Sequence, residues 1–223
     1  MADTPRRDPQ VDALVGDLIG DLKPIRRIWS PGVHLGFWLA VELLVFGLVA
    51  SLGLRMDILG QLANPLFLFE LTLLITAGGL SAAMALLAAV PGREPSGAAV
   101  ALALGLLAAS FVALHQEMPA AAQTLASAPW GMGCALDTIA IAIVPWAALL
   151  FFIRRGASLI PVVSGGLAGL AAFLLASATM RIVCPVDNFW HVAIWHLPPV
   201  LLGLGTSALI GLLLLTSWKG DVV

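Results

Sequence analysis

The feature that leaves this chain the fewest choices is a succession of apolar runs, at about 33–54, 65–90, 98–117, 135–153, 159–178 and 191–216. A bilayer core about 30 Å thick is crossed by about 20 apolar residues in a helix, the form that bonds all of its own backbone polar groups there. The sequence therefore predicts an all-α, polytopic membrane protein with six transmembrane helices. Polar or Pro/Gly-rich breaks separate the runs: "RMDILGQLANP", "PGREPSG", "EMPAAAQTLASAPWGMGC", "RRGAS" and "TMRIVCPVDNFW". Composition agrees, since 60% of the 223 residues are hydrophobic and 11% charged, where a soluble domain carries about 25% charged residues. A net charge of −2 and no basic run longer than two residues argue against a direct nucleic-acid partner, whose phosphates need a basic surface.

Lysines and arginines on short flanks set orientation. With the N-terminus inside, the cytoplasmic flanks hold Arg6, Arg7, Lys23, Arg26, Arg27, Arg93, Arg154, Arg155 and Lys219, and only Arg55 and Arg181 lie outside, which accounts for all 11. The expectation is an N-in, C-in bundle with Cys134 and Cys184 both at its outer face. The polar N-terminal stretch leads into an apolar run too long for a signal-peptide core, so no cleavage is expected. Gly165 and Gly169, at GxxxG spacing, and "SAAMALLAA" at 81–89 are small-residue surfaces that let helices approach closely.

Before the first run, Val11, Leu14, Val15, Leu18, Ile19 and Leu22 follow an i, i+3, i+4, i+7 pattern and form one apolar stripe on a helix over 8–23. Asp8 and Pro9 suit its start and Pro24 its end. Gly16 and Gly20 lie on the opposite face, each costing about 0.8–1 kcal/mol relative to alanine, so the helix is marginal alone in water. It needs a surface to fold on. An interfacial helix usually carries cations on its polar face, whereas Asp12, Asp17 and Asp21 flank this stripe and are repelled by an anionic leaflet. The segment 25–31, with Arg26, Arg27 and Trp29, reads as the membrane anchor, and 8–23 as a helix offered to a protein groove.

Cys134 and Cys184 each open a C-x-x-D sequence, "CALD" and "CPVD", where a loop meets a helix. They are too few for a disulfide scaffold and form no CxxC pair. With His115 ending the third span and His191 starting the sixth, thiols, imidazoles and carboxylates converge on the outer face. Four readings stand side by side: a structural disulfide, allowed in an oxidising compartment; a thiol pair switched by oxidation; capture of a thiophilic metal ion at Cys134 and Cys184; and two packed cysteines with no further role. Glu42, near the middle of the first span, and Glu70, near the outer end of the second, are carboxyls in costly surroundings. They read either as hydrogen-bonded groups holding helices together or as carriers of a proton or cation. His196, a turn below the cysteine layer, reads as a packing hydrogen-bond donor ahead of a ligand, and Trp38, Trp130, Trp146, Trp190 and Trp218 read mostly as interfacial belt residues.

No HExxH, GxSxG, Walker A or GxGxxG motif is present, so the chain is not read as an enzyme. A thiol oxidoreductase built on Cys134 with His191 or Asp137 is a minor formal reading. The runner-up from another class is a small proton- or cation-coupled transporter using Glu42 and Glu70, weakened by the lack of a convincing inverted repeat.

The segment "LIGDLKPIRRIWSPG", the six spans, and then "CALDTIAIAIVPWAALLFFIRRGA" and "CPVDNFWHVAIWHLPPVLLG" together resemble the NrsF family, membrane-bound negative regulators of extracytoplasmic-function sigma factors. The resemblance covers nearly the whole chain. It implies an anti-sigma factor of the bacterial inner membrane, with residues 1–31 as a cytoplasmic sigma-binding segment and 32–223 as a six-helix transmembrane sensor domain. Carried over residue by residue, it puts sigma contact on Leu14, Leu18, Leu22, Lys23, Pro24, Arg26 and Arg27. Signal response falls on Cys134 and Cys184, with no resident cofactor.

Overall fold

The structure is a computed structural model and describes residues 9–20, 29–119, 124–125 and 128–215. Among these, the helices are α1 (Pro9–Gly20), α2 (Pro31–Leu52), α3 (Ile58–Leu62), α4 (Pro65–Leu87), α5 (Gly97–Glu117), α6 (Met132–Arg154), α7 (Pro161–Val183), α8 (Phe189–Trp195) and α9 (Leu197–Leu214), with no strand. The six spans are α2, α4, α5, α6, α7 and the α8–α9 pair, each long and apolar enough to cross a membrane.

Local chemistry sets the span boundaries. The Ser30 hydroxyl and the Asn64 side-chain oxygen accept from the backbone N–H groups of Val33 and Leu66, at 3.4 and 3.0 Å. Ser96 does the same for Ala99 at 3.2 Å. Each takes up an N–H left orphaned in a first turn. Pro31, Pro65 and Pro161 begin their helices, where a missing N–H costs nothing. The last span is broken at His196, because Pro198 and Pro199 can occupy the first turn of α9 but cannot donate back into α8.

Antiparallel alternation puts the ends of α2, α5 and α7 and the starts of α4, α6 and α8 on one face, here the thiol face. The opposite, N-terminal face carries the start of α2, the joint between α6 and α7, and the turn after α4, where the Ala157 N–H donates to the Ala89 carbonyl at 2.9 Å. Helix α7 is the hub, packed on α4, α6 and α9. Its seam with α9 is glycine against backbone. A Cβ on Gly169 would strike the Gly203 carbonyl, one on Gly165 the Ser207 carbonyl, and one on Gly211 the Pro161 carbonyl. The close approach expected of the GxxxG spacing is thus made between these two helices. The Ser207 hydroxyl, in turn, donates to the Gly165 carbonyl at 2.5 Å.

Two expectations change here. The fifth span runs to Val183 rather than 178, carrying Arg181 inside the helix, because carboxylates at the same depth neutralise it. Trp38 is no belt residue: it is fully buried, and its indole N–H donates to the Pro145 carbonyl at 2.9 Å. Trp146 likewise turns inward, donating to the Ser207 hydroxyl at 2.8 Å.

Candidate functional site

Three elements bring four soft or borderline donors together on the thiol face. Cys134 sits in the first turn of α6, Cys184 caps the end of α7, His191 lies on α8, and His196 occupies the break before α9. One ligand atom from each lies within 4.8 Å of all the others. The two sulfurs are 3.6 Å apart and unbonded, and Cys184 Sγ is 3.6 Å from His191 Nε2. His191 Nδ1 lies 3.1 Å from the Pro129 carbonyl. A carbonyl only accepts, so Nδ1 holds the proton and Nε2 is left with its lone pair towards the sulfurs, the usual preparation of a ligating imidazole. The Asn188 side chain caps α8 by accepting from the His191 N–H at 3.0 Å.

His196 corrects its sequence reading. It is almost wholly buried, and neither ring nitrogen has a hydrogen-bond partner, so it is not a packing donor; its ring stands 5.5 Å from that of His191. His115, expected nearby, instead packs edge-on against Phe189 at 5.2 Å. Asp137 is exposed and outside the cluster. Gly131 permits the whole arrangement, since a Cβ there would meet His191 and sit 2.7 Å from the Trp195 ring. Burial raises the Cys184 thiol's pKa, whereas the His191 and His196 rings beside it lower it when they carry a second proton, and the net direction is down.

Tetrahedral zinc-like coordination uses bonds of about 2.0–2.3 Å to nitrogen and sulfur, so the ligand atoms need only close slightly on a central ion. Two thiols, a prepared imidazole and an imidazole with orphaned nitrogens form a donor set that fits a thiophilic ion. The same thiols could lose two electrons and two protons to an oxidant and form a disulfide.

Next to this cluster lies a network that the sequence reading missed. Asp187, three residues after Cys184, accepts from Arg55 Nη1 at 2.9 Å and pairs again with Arg55 Nη2. It also takes Gln61 Nε2 at 3.0 Å and Arg181 Nη1 at 3.5 Å. Arg181 donates through Nε to Glu70 at 3.0 Å and through Nη2 to Glu117 at 3.3 Å. Arg55 closes the set with Asp57 at 2.7 Å and holds that carboxyl well below the usual carboxylate range. Both guanidinium groups are buried, which is tolerable only with their donors satisfied. Glu70 therefore reads as a helix-holding group, the first of its two expected roles. The available signal was depth: Glu70 near the start of α4 and Glu117 and Arg181 near the ends of α5 and α7 all fall at the thiol face.

Ahead of α2 in the chain, α1 exposes Val11, Leu14, Val15, Leu18 and Ile19, and no residue of it is buried. The stripe expected for partner contact is helical through Gly20. Leu22, Lys23, Pro24, Arg26 and Arg27 lie outside the described residues.

The model of the family described as "Negative regulator of sigma F" matches residues 18–218. That span takes in every transmembrane helix, both cysteine motifs and the end of α1. The chain belongs to the NrsF family. As an NrsF protein it is a negative regulator of a sigma factor, and its helices make it multi-pass. The match begins at Leu18, so Leu14 lies before it. No curated protein and no solved structure matches this NrsF chain.

Proposed function

We propose that this chain holds an extracytoplasmic-function sigma factor at the cytoplasmic side of the bacterial inner membrane and releases it on a signal received at Cys134 and Cys184 on the outer side. The observation that carries the reading is the bare stripe of α1: five large apolar side chains in one row, all exposed, on a helix that buries none of its residues. Such a helix is stabilised by laying that stripe in a partner's groove. Lys23, Pro24, Arg26 and Arg27 follow in sequence and extend the contact. Sequestration then has two parts, since the bound helix covers surface that the sigma factor needs for polymerase and the spans keep the pair from promoters. The cation count supports N-in, C-in, with residues 1–31 as the binding segment and 32–223 as the sensor.

The donor set favours a thiophilic metal ion as the outer signal. Cys134, Cys184, His191 and His196 would hold it, and its chemistry there is to draw two thiolates and two imidazoles onto one centre. That ties the start of α6 to the end of α7 and the α8–α9 break, and the resulting shift must favour a released state by a differential free energy.

Copurification from membranes tests the first half. The parent retains a sigma factor and Leu18→Asp loses it with an unchanged melting profile; retention by Leu18→Asp would sink the reading. For the second half, added Zn or Cd should raise the melting temperature of the parent and not of Cys134→Ser or His196→Phe. Sigma-dependent transcription should stay silent in the cysteine variants when the metal is supplied. Glu70, held by Arg181, leaves the transport alternative with Glu42 alone.

A further inference from the structure

Helix α2 buries three residues, His34, Trp38 and Glu42, one turn apart. His34 packs on Phe152 at 4.9 Å and Trp38 donates to Pro145. Glu42 is different: it is 9% exposed, and its Oε1 is buried with no hydrogen-bond partner. It lines a crevice of about 330 Å³ between α2, α4 and α7, at the small end of the usual range for ligand sites, about 300–1,000 Å³. Leu43, Phe46, Leu71, Ile75 and Ala178 make up much of the wall. Thr179, the other polar side chain there, already donates to the Leu175 carbonyl at 3.0 Å. The crevice ends towards the thiol face at Ile182, whose carbonyl accepts from the Arg55 N–H at 3.3 Å.

We infer that this crevice binds a neutral, bilayer-dissolved molecule made of an apolar body and one hydroxyl group, the hydroxyl paired with Glu42. The carboxyl lies about halfway along a spanning helix, where a charge is expensive, so a cationic head would add a second charged group to desolvate. A headgroup anchored at the membrane surface is some 16 Å away at about 1.5 Å rise per residue. A hydroxyl suits the carboxyl in either protonation state, because it donates to a carboxylate and both donates to and accepts from a carboxylic acid. The wall residues, including Leu39 and Leu43, are open on the lipid side, so entry is from the bilayer. Filling the crevice wedges α2, the helix that leads back to α1, against α4 and α7.

The test uses the full chain in nanodiscs and radiolabelled 4-octylphenol, with 4-octylanisole as a control of matching shape and no donor. The expected result is saturable binding, above that of empty nanodiscs, which the anisole displaces about tenfold less well, the size of one net hydrogen bond. Glu42→Met should weaken the phenol about tenfold, Glu42→Gln, which keeps an acceptor, should restore most of it, and Ala178→Phe should abolish it by filling the space. Unchanged melting profiles identify these as site effects. Equal displacement by the anisole, full binding by Glu42→Met, or absence of saturable binding would each overturn the inference. So would efficient disulfide cross-linking of Leu43→Cys between two chains, since a second copy would then cover the crevice.

Discussion

Helices α7 and α2 are nearly the same length and both apolar, yet they solve opposite problems. Seventeen residues of α7 are buried against three of α2. The difference lies in side-chain size. "SGGLAGLAA" gives α7 a surface on which neighbouring backbones can almost touch, and van der Waals contact of that kind holds helices together where lipid is as apolar as leucine. The valines, leucines and phenylalanines of α2 leave it no close approach, and large residues such as Leu43, Leu44 and Leu48 stay exposed. In a membrane protein, hydropathy finds the helix and residue size finds its neighbours.

Four substitutions set the two helices against each other. The largest loss is expected from Arg181→Met in α7, which strands Glu70 and Glu117 without their cation and should cost about 3–5 kcal/mol. Adding Glu70→Gln should recover part of it, and a double variant as unstable as the single would show that the pair is not coupled. Next comes Gly169→Leu, whose Cβ meets a backbone carbonyl that cannot rotate away; unfolding in detergent should register a loss of about 3 kcal/mol. In α2, Trp38→Phe removes the donor to the Pro145 carbonyl and should cost about 1–2 kcal/mol. Gly47→Leu in the same helix meets nothing within 4 Å and should change stability by no more than about 0.5 kcal/mol. If Gly47→Leu proved as damaging as Gly169→Leu, the division of labour between the two helices would be wrong.

How much of this was legible in the sequence follows the same physics. The six spans could be read because a run of apolar residues is a local property. The end of α7 could not, since Arg181 reads as a loop charge until Glu70, more than a hundred residues away, is seen beside it. Cys134 and Cys184 announced themselves by their matching C-x-x-D contexts, and His191 by its depth at the start of the sixth span, but His196 did not. His196 reads as an ordinary polar residue next to two prolines, and only the helix break those prolines impose turns it towards the sulfurs. His115 misled for the converse reason, being at the right depth but turned to Phe189. Trp38 failed the belt expectation because Pro145, on another helix, offers it a carbonyl inside the bundle.

Asp187 sits in the short loop between α7 and α8 and grips Arg55, the third residue past the end of α2. Any movement that draws Cys184 towards its neighbours must therefore either drag the tip of α2 with it or tear a doubly bonded guanidinium from its carboxylate. The first is far cheaper, so the least supported rod in the bundle is also the one whose far end is held in the same fist as the thiol.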